Sequence, residues 1–410
     1  MAYKAGTAAL LTLAVMVLAA SPVRADDNGG NVIKIGVLSD MSGPYAADDG
    51  EGDVVGAKLA VEDMGGEVIG KPIQVISADT LNKPDVGSAI ARKWYDTEGV
   101  DVIAGGSTSA VGLAIQAVAQ EKHRIFLITD PGSTAFTGKA CSPYGFHFSY
   151  DTYALANGTA RAMVKRGGNT WFFITVDYAF GHALEHDAAK LVEAAGGKVL
   201  GQVRYPLGAT DFGSYLLQAQ ASKAKVIGLA NAGADTVNAI KQAAEFGIIK
   251  GGQQIAGLLI LIPDVESLGL EAAQGLFLTT SFYWDLNDET RAWTKRFQAA
   301  YRGKAPPTMT QAGTYSAVLH YLKAVKAAGT TDADKVAAKM RMTPVNDMYN
   351  HNVMIRPDGR VLATMYLAQV KSPKDSKYNH DDFKILDSLP GAEAFQPMDQ
   401  GGCSLAKKAE

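Results

Sequence analysis

Apolar residues along the chain follow two alternating patterns. Short runs rich in valine and isoleucine, typical of buried strands, begin at Val32 and recur along the chain. Longer stretches between them place apolar residues three and four positions apart, as on one face of a helix. The first series predicts strands at 32–38, 73–78, 102–105 and 125–129, with helices at 54–64, 86–95 and 110–119. This alternation indicates βαβ units and a parallel sheet covered on both faces.

The same alternation starts again in the second part of the chain. It predicts strands at 171–176, 199–205, 226–230, 255–259 and 276–280, with helices at 182–194, 212–221 and 237–246. Later helices are predicted at 289–300, 311–327 and 333–340, and a strand at 365–370 follows the Pro357-Asp358-Gly359 turn. The predicted fold class is therefore α/β, with two doubly wound parallel-sheet lobes joined by a hinge of several strands.

The late helices determine the predicted domain boundaries. Because they need a sheet to cover, the simplest arrangement returns them to the first lobe, so the chain crosses between lobes more than once. The prediction is a first lobe of residues 26–150 plus 282–358 and a second lobe of 151–281 plus 359–383. Residues 384–410 are expected to form a C-terminal tail that returns toward the first lobe.

The N-terminus has the pattern of a signal peptide. Lys4 precedes an apolar run from Ala8 to Ala20, and small residues follow up to Ala25. The run is shorter than the ~20 residues that span a bilayer, which predicts an exported, periplasmic chain cleaved after Ala25. An uncleaved anchor would look similar, but a lipoprotein leader would need a cysteine at the cleavage point.

Cys141 and Cys403 are the two cysteines of the chain. Two cysteines in an exported protein are predicted to form a disulfide, which here would tie the tail to the first third of the chain.

Charge and glycine patterns argue against several classes of partner. The formal net charge is −3, and removal of Lys4 and Arg24 with residues 1–25 changes it to −3 − 2 = −5. A mildly acidic chain without a basic cluster is not expected to bind nucleic acid or a membrane surface.

The glycines between Gly50 and Gly56 resemble a dinucleotide fingerprint, but the last interval is one residue too long, so no cofactor is predicted.

Two loops rich in small and hydroxyl side chains are the first candidate binding site. Gly106-Ser107-Thr108-Ser109-Ala110 follows one predicted strand and opens a helix, and Asp130-Pro131-Gly132-Ser133-Thr134 follows the next. Ligands of open parallel sheets lie beyond the carboxyl ends of strands, and a helix start favours an anion. Ordinary N-capping by Ser107 or Ser109 explains the same residues equally well. Side by side, the two loops favour a site for a carboxylate.

A second motif suggests a different class of protein. His182-Ala183-Leu184-Glu185-His186 has the spacing of an inverted zinc-protease signature, in which both histidines share a helix face. A third ligand would have to come from elsewhere, and a solvated helix face explains the same residues. A secreted zinc hydrolase is therefore the alternative to a binding protein, although no metal site is predicted.

Four segments together resemble the type I periplasmic solute-binding proteins of the leucine/isoleucine/valine-binding group, which serve ABC importers. The segments are residues 35–45 (IGVLSDMSGPY), 60–64 (AVEDM), 105–110 (GGSTSA) and 177–181 (DYAFG). The similarity extends over nearly all of the chain after residue 25. It implies a non-enzymatic binding protein, a small-molecule ligand and a membrane permease as partner; we expect a monomer.

The resemblance also implies roles for individual residues. The loops at Ser107, Thr108 and Ser109 and at Gly132, Ser133 and Thr134 would hold the ligand carboxylate. Tyr178 would close over it from the second lobe, and Tyr45 would lie at the mouth of the cleft. Asn231 and the aromatic loop at Tyr283 would also approach the ligand.

One position departs from the amino-acid-binding members of this family. They have an acidic residue where this chain has Leu259, and that residue pairs with the ammonium group of the ligand. An ammonium buried against leucine lacks this compensation. The expected ligand is therefore a carboxylate without an α-amino group, preferably an aromatic acid. Branched-chain amino acids remain the alternative, with Asp264 or Asp177 as substitute charges, and a sensing role is not separable from transport.

Overall fold

The computed structural model describes residues 1–2, 30–301 and 305–405. The predicted signal peptide lies almost wholly outside the described residues. Within the described part of the chain, no helix combines the length and the apolar character needed to cross a bilayer.

Six strands near the N-terminus form the first sheet. They are β1 (Ile33–Ser39), β2 (Glu67–Val68), β3 (Lys71–Asp79), β4 (Val102–Gly105), β5 (Ile125–Ile128) and β6 (Gly145–His147). The order is β2-β3-β1-β4-β5-β6, and every pair is parallel except β2 with β3. The strands β4 and β5 are fully buried, as expected for the centre of a sheet with helices on both faces.

Four strands form a second parallel sheet. They are β7 (Thr170–Val176), β8 (Lys198–Tyr205), β9 (Val226–Ala230) and β10 (Gln254–Gly257), in the order β10-β9-β7-β8. The predicted α/β fold with two parallel-sheet lobes is therefore confirmed.

The later strands form a third, antiparallel sheet. It contains β11 (Phe277–Thr280), β12 (Met365–Val370) and β13 (Phe383–Leu389), with β12 in the middle. The sequence pattern predicts strand 276–280 as part of the second parallel sheet. That assignment was wrong because its hydrogen-bonding partner, β12, comes from a part of the chain almost ninety residues later, which local sequence pattern does not reveal.

Helices cover these sheets. They are α1 (Gly50–Asp63), α2 (Pro84–Asp96), α3 (Ser109–Glu121), α4 (Thr152–Lys165), α5 (Ala179–Ala194), α6 (Gly213–Ala221), α7 (Gly233–Glu245), α8 (Ile262–Leu268), α9 (Leu270–Ala273), α10 (Asp288–Ala300), α11 (Met309–Ala328), α12 (Ala333–Met342), α13 (Gly391–Ala394) and α14 (Met398–Gly401). The long helix α11 is buried over most of its length and packs against α1, beside the first sheet. Helix α4, which the sequence pattern missed, packs against α5 and β11.

The cysteines are joined as predicted. The disulfide Cys141–Cys403 connects residues 262 positions apart. It holds α14 against a short 3-10 helix, Thr134–Thr137, which directly follows the loop at Gly132. The C-terminal segment is thereby attached to the part of the first lobe that carries one of the candidate binding loops.

Candidate functional site

Three loops of the first lobe meet at one edge of the first sheet. They follow β1, β4 and β5, whose registers pair Leu38 with Gly105 and Gly105 with Ile128. Parallel strands end at the same edge, so the residues after them are neighbours. The amide of Ser133 donates a hydrogen bond of 3.1 Å to the hydroxyl of Ser109, which joins the second and third loops directly.

The second lobe lies over this edge. Tyr178, the N-cap residue of α5, approaches Tyr45 of the first lobe, and their hydroxyl oxygens are 3.1 Å apart. The amide of Ala234 in α7 donates to the carbonyl of Pro44 at 3.5 Å. These two contacts join the lobes across the cleft, so the structure has a closed conformation.

A cavity remains between the closed lobes. The first lobe contributes Tyr45, Asp48, Asp49, Ser107, Thr108, Ser109, Asp130, Pro131, Gly132, Tyr150 and Thr310, and the second contributes Tyr178, Phe180, Ala232, Leu259 and Leu261. The free volume is about 30 Å³, enough for roughly two water molecules.

Seven of the eleven predicted ligand-binding residues line this cavity. They are Tyr45, Ser107, Thr108, Ser109, Gly132, Tyr178 and Leu259. Gly132 is required by close packing, since a Cβ atom there would lie 2.5 Å from the ring of Tyr150 and 3.0 Å from that of Phe180.

Ser107 lines the cavity but already uses its hydrogen-bond donors within the protein. Its amide donates to Oδ2 of Asp130 at 3.0 Å, and its hydroxyl donates to the side-chain oxygen of Asn82. Its φ of 53° places it in the left-handed region, which is uncommon for serine. The local role of Ser107 is therefore to shape the loop and to hold Asp130.

The other four predicted residues lie away from the cavity lining. Ser133 caps the 3-10 helix through Ala135 N, and the hydroxyl of Thr134 donates to Asp187 at 3.3 Å. Asn231 is fully buried and accepts a 2.6 Å hydrogen bond from Thr236. The hydroxyl of Tyr283 donates to the carbonyl of His380 at 3.3 Å, so it faces the loop before β13.

Sequence reasoning missed the acidic residues of the cavity. Asp48 and Asp49 precede α1 in the loop after β1, and Asp130 directly follows β5. A carboxylate next to the end of a buried parallel strand was the signal available for Asp130. Asp48 and Asp49 had no comparable signal, because nine residues separate the end of β1 from Asp49.

Burial strongly affects these carboxyl groups. Asp130 accepts hydrogen bonds from the Thr129 hydroxyl at 2.9 Å and the Ser107 amide, yet burial still raises its pKa to about 6. Beneath it, Asp53 accepts from Ser39 at 2.8 Å and from Thr314 at 3.1 Å. Burial, followed by the charge of Asp130, raises the pKa of Asp53 well above its ordinary value. Ionisation of Asp53 is therefore disfavoured while Asp130 is charged.

Asp48 has fewer protein partners. Among the described residues, its Oδ1 atom has no hydrogen-bond partner, although Asp48 is only 5% exposed. Burial, and next the carboxylate of Asp264 in the second lobe, raise the pKa of Asp48 well above its ordinary value.

The alternative zinc site does not form in the structure. His182 bonds to Asp177 at 2.7 Å, His186 is exposed, and the buried Glu185 lies 3.6 Å from Arg204. In the described ranges, the groups whose ligand atoms come close enough to share an ion are Asp49, Asp53 and Asp130, and Glu266, His380 and Asp382. The HxxEH residues, with Glu185 buried and His186 exposed, are therefore not among the groups of described residues that could share an ion.

Comparison with known proteins agrees with this architecture. A family model described as periplasmic binding protein matches residues 32–377. The Leu/Ile/Val-binding protein homolog 6 of Brucella melitensis is 27% identical over 397 residues, covering 94% of this chain and 99% of that protein.

Solved structures are similar over almost their whole length. A periplasmic binding protein from Burkholderia mallei has a TM-score of 0.89 and 49% identity, covering 92% of this chain and 99% of its own. A branched-chain amino acid ABC transporter periplasmic ligand-binding protein from Burkholderia xenovorans has a TM-score of 0.82 and 38% identity, covering 91% and 100%. An ABC transporter solute-binding protein from Rhodopseudomonas palustris in complex with p-hydroxybenzoic acid has a TM-score of 0.78 and 26% identity, covering 90% and 98%.

Proposed function

The chain belongs to the periplasmic binding protein family, and we propose that it captures a small carboxylate ligand between its lobes for the permease of an ABC importer. As a member of that family it is a periplasmic solute-binding protein, and its relatives bind solutes without transforming them. We also propose that the leader is removed after Ala25 and that the protein acts as a monomer without a cofactor.

The observation that carries the proposal is the cavity at the start of α3. The first amides of a helix have no carbonyl partner within it, and α3 begins at Ser109 in the cavity wall. The Thr108 side chain caps the amide of Val111, and the amide of Ser109, in the first turn of the helix, would be a donor to a ligand in the cavity. A carboxylate placed there would also reach the hydroxyl of Ser109 and would be favoured by the helix dipole.

The shape of the cavity favours a flat ligand, and an aromatic acid is our first candidate. Tyr45, Tyr150, Tyr178 and Phe180 line it, so a planar body could lie between aromatic rings. The Rhodopseudomonas relative in complex with p-hydroxybenzoic acid supports this choice. A branched-chain amino acid is the second candidate, supported by the Leu/Ile/Val-binding name of the Brucella relative.

Hinge closure is the proposed mechanism. The ligand would bind first to the loops of the first lobe, and rotation at the crossings near residues 150, 281 and 358 would bring Tyr178 over it. The closed pair of lobes would then present one composite surface to the permease.

A thermal-shift screen tests the ligand class. Benzoate and 4-hydroxybenzoate should be compared with leucine and valine, because a ligand that binds only the folded chain raises its unfolding temperature. At a hundredfold excess over Kd the stabilisation is about 2.7 kcal/mol. If none of these carboxylates raises the unfolding temperature, the proposal fails.

Ser109→Ala tests the anchor point. The change removes one hydroxyl donor to the carboxylate and should weaken binding by about 1–3 kcal/mol, measured by calorimetry with the best carboxylate of the screen. Ser133→Ala is the matched control, because Ser133 lies outside the cavity and caps only the 3-10 helix. If the wild type and Ser109→Ala bound the carboxylate with equal affinity, the start of α3 would not be the anchor of the ligand.

A further inference from the structure

Three side chains outside the cleft have the composition of a metal site. Glu266 lies on α8, and His380 and Asp382 lie near the end of the loop that joins β12 to β13. One possible ligand atom of each residue lies within 4.8 Å of those of the other two. None of the three residues lines the cleft cavity, so solute capture does not account for their proximity.

Asp382 is buried without a partner for one of its oxygens. The residue is 6% exposed, and its Oδ2 atom has no hydrogen-bond partner among the described residues. Its backbone carbonyl accepts a 2.7 Å hydrogen bond from the Lys371 amide, which holds this end of the loop in place. A buried carboxylate oxygen without a donor or a cation is strongly unfavourable. The other members of its group, a carboxylate and an imidazole, make a shared cation the simplest way to satisfy this oxygen.

The backbone of His380 is positioned by the aromatic loop at Tyr283. The His380 carbonyl accepts hydrogen bonds from the Trp284 indole nitrogen at 2.9 Å and from the Tyr283 hydroxyl at 3.3 Å. Its φ of 63° lies in the left-handed region. The imidazole is thereby brought into contact with Glu266. A metal ligand needs this kind of support, because the site must hold its geometry before the ion binds.

The two ring nitrogens of His380 have different partners. Nδ1 contacts Oε1 of Glu266, and Nε2 lies 2.7 Å from the side-chain amide of Asn379. An asparagine amide can present either its nitrogen or its oxygen. With the oxygen toward Nε2–H, Asn379 fixes the tautomer in which Nδ1 carries a lone pair, as partners of metal-bound histidines commonly do. Nδ1 is then an electron-pair donor beside the Glu266 carboxylate.

We propose that Glu266, His380 and Asp382 bind a zinc ion, which ties α8 to the loop before β13. One imidazole and two carboxylates provide three ligands of a tetrahedral zinc site, and water can supply the fourth. Ligand atoms about 2.1 Å from such an ion lie about 3.4 Å from one another. Small side-chain adjustments within the observed group reach that spacing. Since the site lies outside the cavity, the ion is not a cofactor of solute capture.

An ion pair between His380 and Glu266 explains only part of this group. A proton on Nδ1 would satisfy Glu266, but Oδ2 of Asp382 would still lack a donor. The side chains of His380 and Glu266 are 22% and 31% exposed, so an ion can enter from solvent. The nitrogen ligand favours a transition metal, whereas calcium and magnesium prefer oxygen ligands alone.

The acidic group of the cleft fits zinc less well. Asp49, Asp53 and Asp130 form the other set of described residues whose ligand atoms come close together, and it contains no nitrogen ligand. Asp53 and Asp130 already accept hydrogen bonds from hydroxyl and amide groups. Those donors occupy lone pairs that a metal would need, so zinc is expected at His380.

Calorimetric titration with zinc chloride tests the site. The untagged chain, stripped with EDTA and then dialysed free of it, should bind one zinc ion near neutral pH. Glu266→Gln and His380→Asn should each weaken zinc binding at least about tenfold, because even loss of a partner of a metal ligand has an effect of this size. Asparagine is chosen at position 380 because it tolerates the left-handed backbone.

His351→Asn is the matched control. Nε2 of His351 lies 3.5 Å from Oε2 of Glu289, but this pair has no third ligand atom close enough among the described residues. Its zinc affinity should equal that of the wild type. Zinc should also raise the unfolding temperature of the wild type and of His351→Asn, and Glu266→Gln should lose this effect while remaining folded by circular dichroism.

Three results would overturn the inference. They are a wild-type chain that binds no zinc, zinc binding that is unchanged in both Glu266→Gln and His380→Asn, and binding that is lost in Asp130→Asn but kept in His380→Asn. The last result would place the ion in the cleft. Binding of benzoate and leucine in the presence of EDTA measures the proposed function separately, so the zinc site and the solute site can each fail without the other.

Discussion

The buried aspartates of the cleft are unusual single residues because their hydrogen bonds do not balance their burial. Burial, and next the charge of Asp264, raise the pKa of Asp48 well above its ordinary value, and burial raises the pKa of Asp264 to about 7. Most carboxylates in folded proteins are ion-paired or hydrogen-bonded, and their pKa falls. Here the folded state favours the protonated form instead.

These raised pKa values predict that the protein becomes less stable as the pH rises, which is opposite to the behaviour expected when carboxylates are ion-paired. A raised pKa means that the folded protein binds more protons than the unfolded chain between the ordinary carboxyl value and about 7. The free energy of unfolding of the unliganded protein should therefore increase as the pH falls from 8 to 5.5. Differential scanning calorimetry in a buffer series checks this, and the slope should become shallower in Asp264→Asn.

The control for the pH experiment is Asp288→Asn. The neighbouring Arg291 lowers the pKa of Asp288, so that carboxyl group stays ionised throughout the range in both states. Its slope should match the wild type. An unfolding temperature that rises with pH over this range would contradict the assignment of raised pKa values in the cleft.

At the scale of single elements, the N-terminus of α7 controls how closely the lobes approach. Gly233 has a φ of 57° and lies against the first lobe. An added Cβ would be 2.7 Å from the Pro44 carbonyl and 2.9 Å from the ring of Tyr45. Only glycine satisfies both the backbone conformation and the narrow gap.

Gly233→Ala should therefore weaken ligand binding by hindering closure, while each lobe keeps its own packing. Overpacking of this kind costs about 1–3 kcal/mol, which corresponds to roughly a five- to 150-fold increase in Kd. Calorimetry gives the affinity, and small-angle X-ray scattering gives the closed fraction with ligand. Gly247→Ala is the matched control, because its φ is 66° but nothing lies within 4 Å of the added atom. If Gly233→Ala and Gly247→Ala weakened ligand binding equally, the loss of affinity would come from backbone strain and not from the added Cβ atom in the cleft.

For the molecule as a whole, the disulfide joins distant parts of the fold. Cys141 and Cys403 are 262 residues apart, and the bond fastens α14 to the 3-10 helix next to the Gly132 loop. A cross-link over so long a loop stabilises mainly by restricting the unfolded chain.

The double variant Cys141→Ser/Cys403→Ser should lose about 2–4 kcal/mol of unfolding free energy, measured by denaturant titration. The comparison is wild type with and without reductant, since reduction should reproduce the loss. A double variant that unfolds at the same denaturant concentration as the oxidised wild type would refute a stabilising role.

Much of the fold could be predicted because local pattern and burial coincide. The strands β4 and β9 were placed at their observed bounds, and helices such as α3 within a residue or two, since continuous apolar runs and helical periodicity are local properties. Helix α4 was missed because its buried face consists largely of small residues, such as Ala156, Gly158 and Ala160, which give little periodic contrast.

The candidate site was predictable only in part. Loops after β4 and β5 could be identified because parallel strands end at one edge, which brings Ser109 and Gly132 to the cavity. Ser133 and Thr134 lie in the same loop but turn toward the 3-10 helix and Asp187. Sequence order does not say which side of a loop faces the cleft.

The sequence by itself determined the α/β class, the two parallel sheets, the pairing of the two cysteines and the hydroxyl-rich loops, because each depends on local periodicity or on a choice among few partners. Only the tertiary structure brought Asp48, Asp49 and Asp130 to one cavity wall and set Gly233 of the second lobe against Asp48 and Tyr45 of the first. Those contacts join residues of separate loops and opposite lobes, and their energies depend on burial and distance, which exist only once the chain has folded and closed.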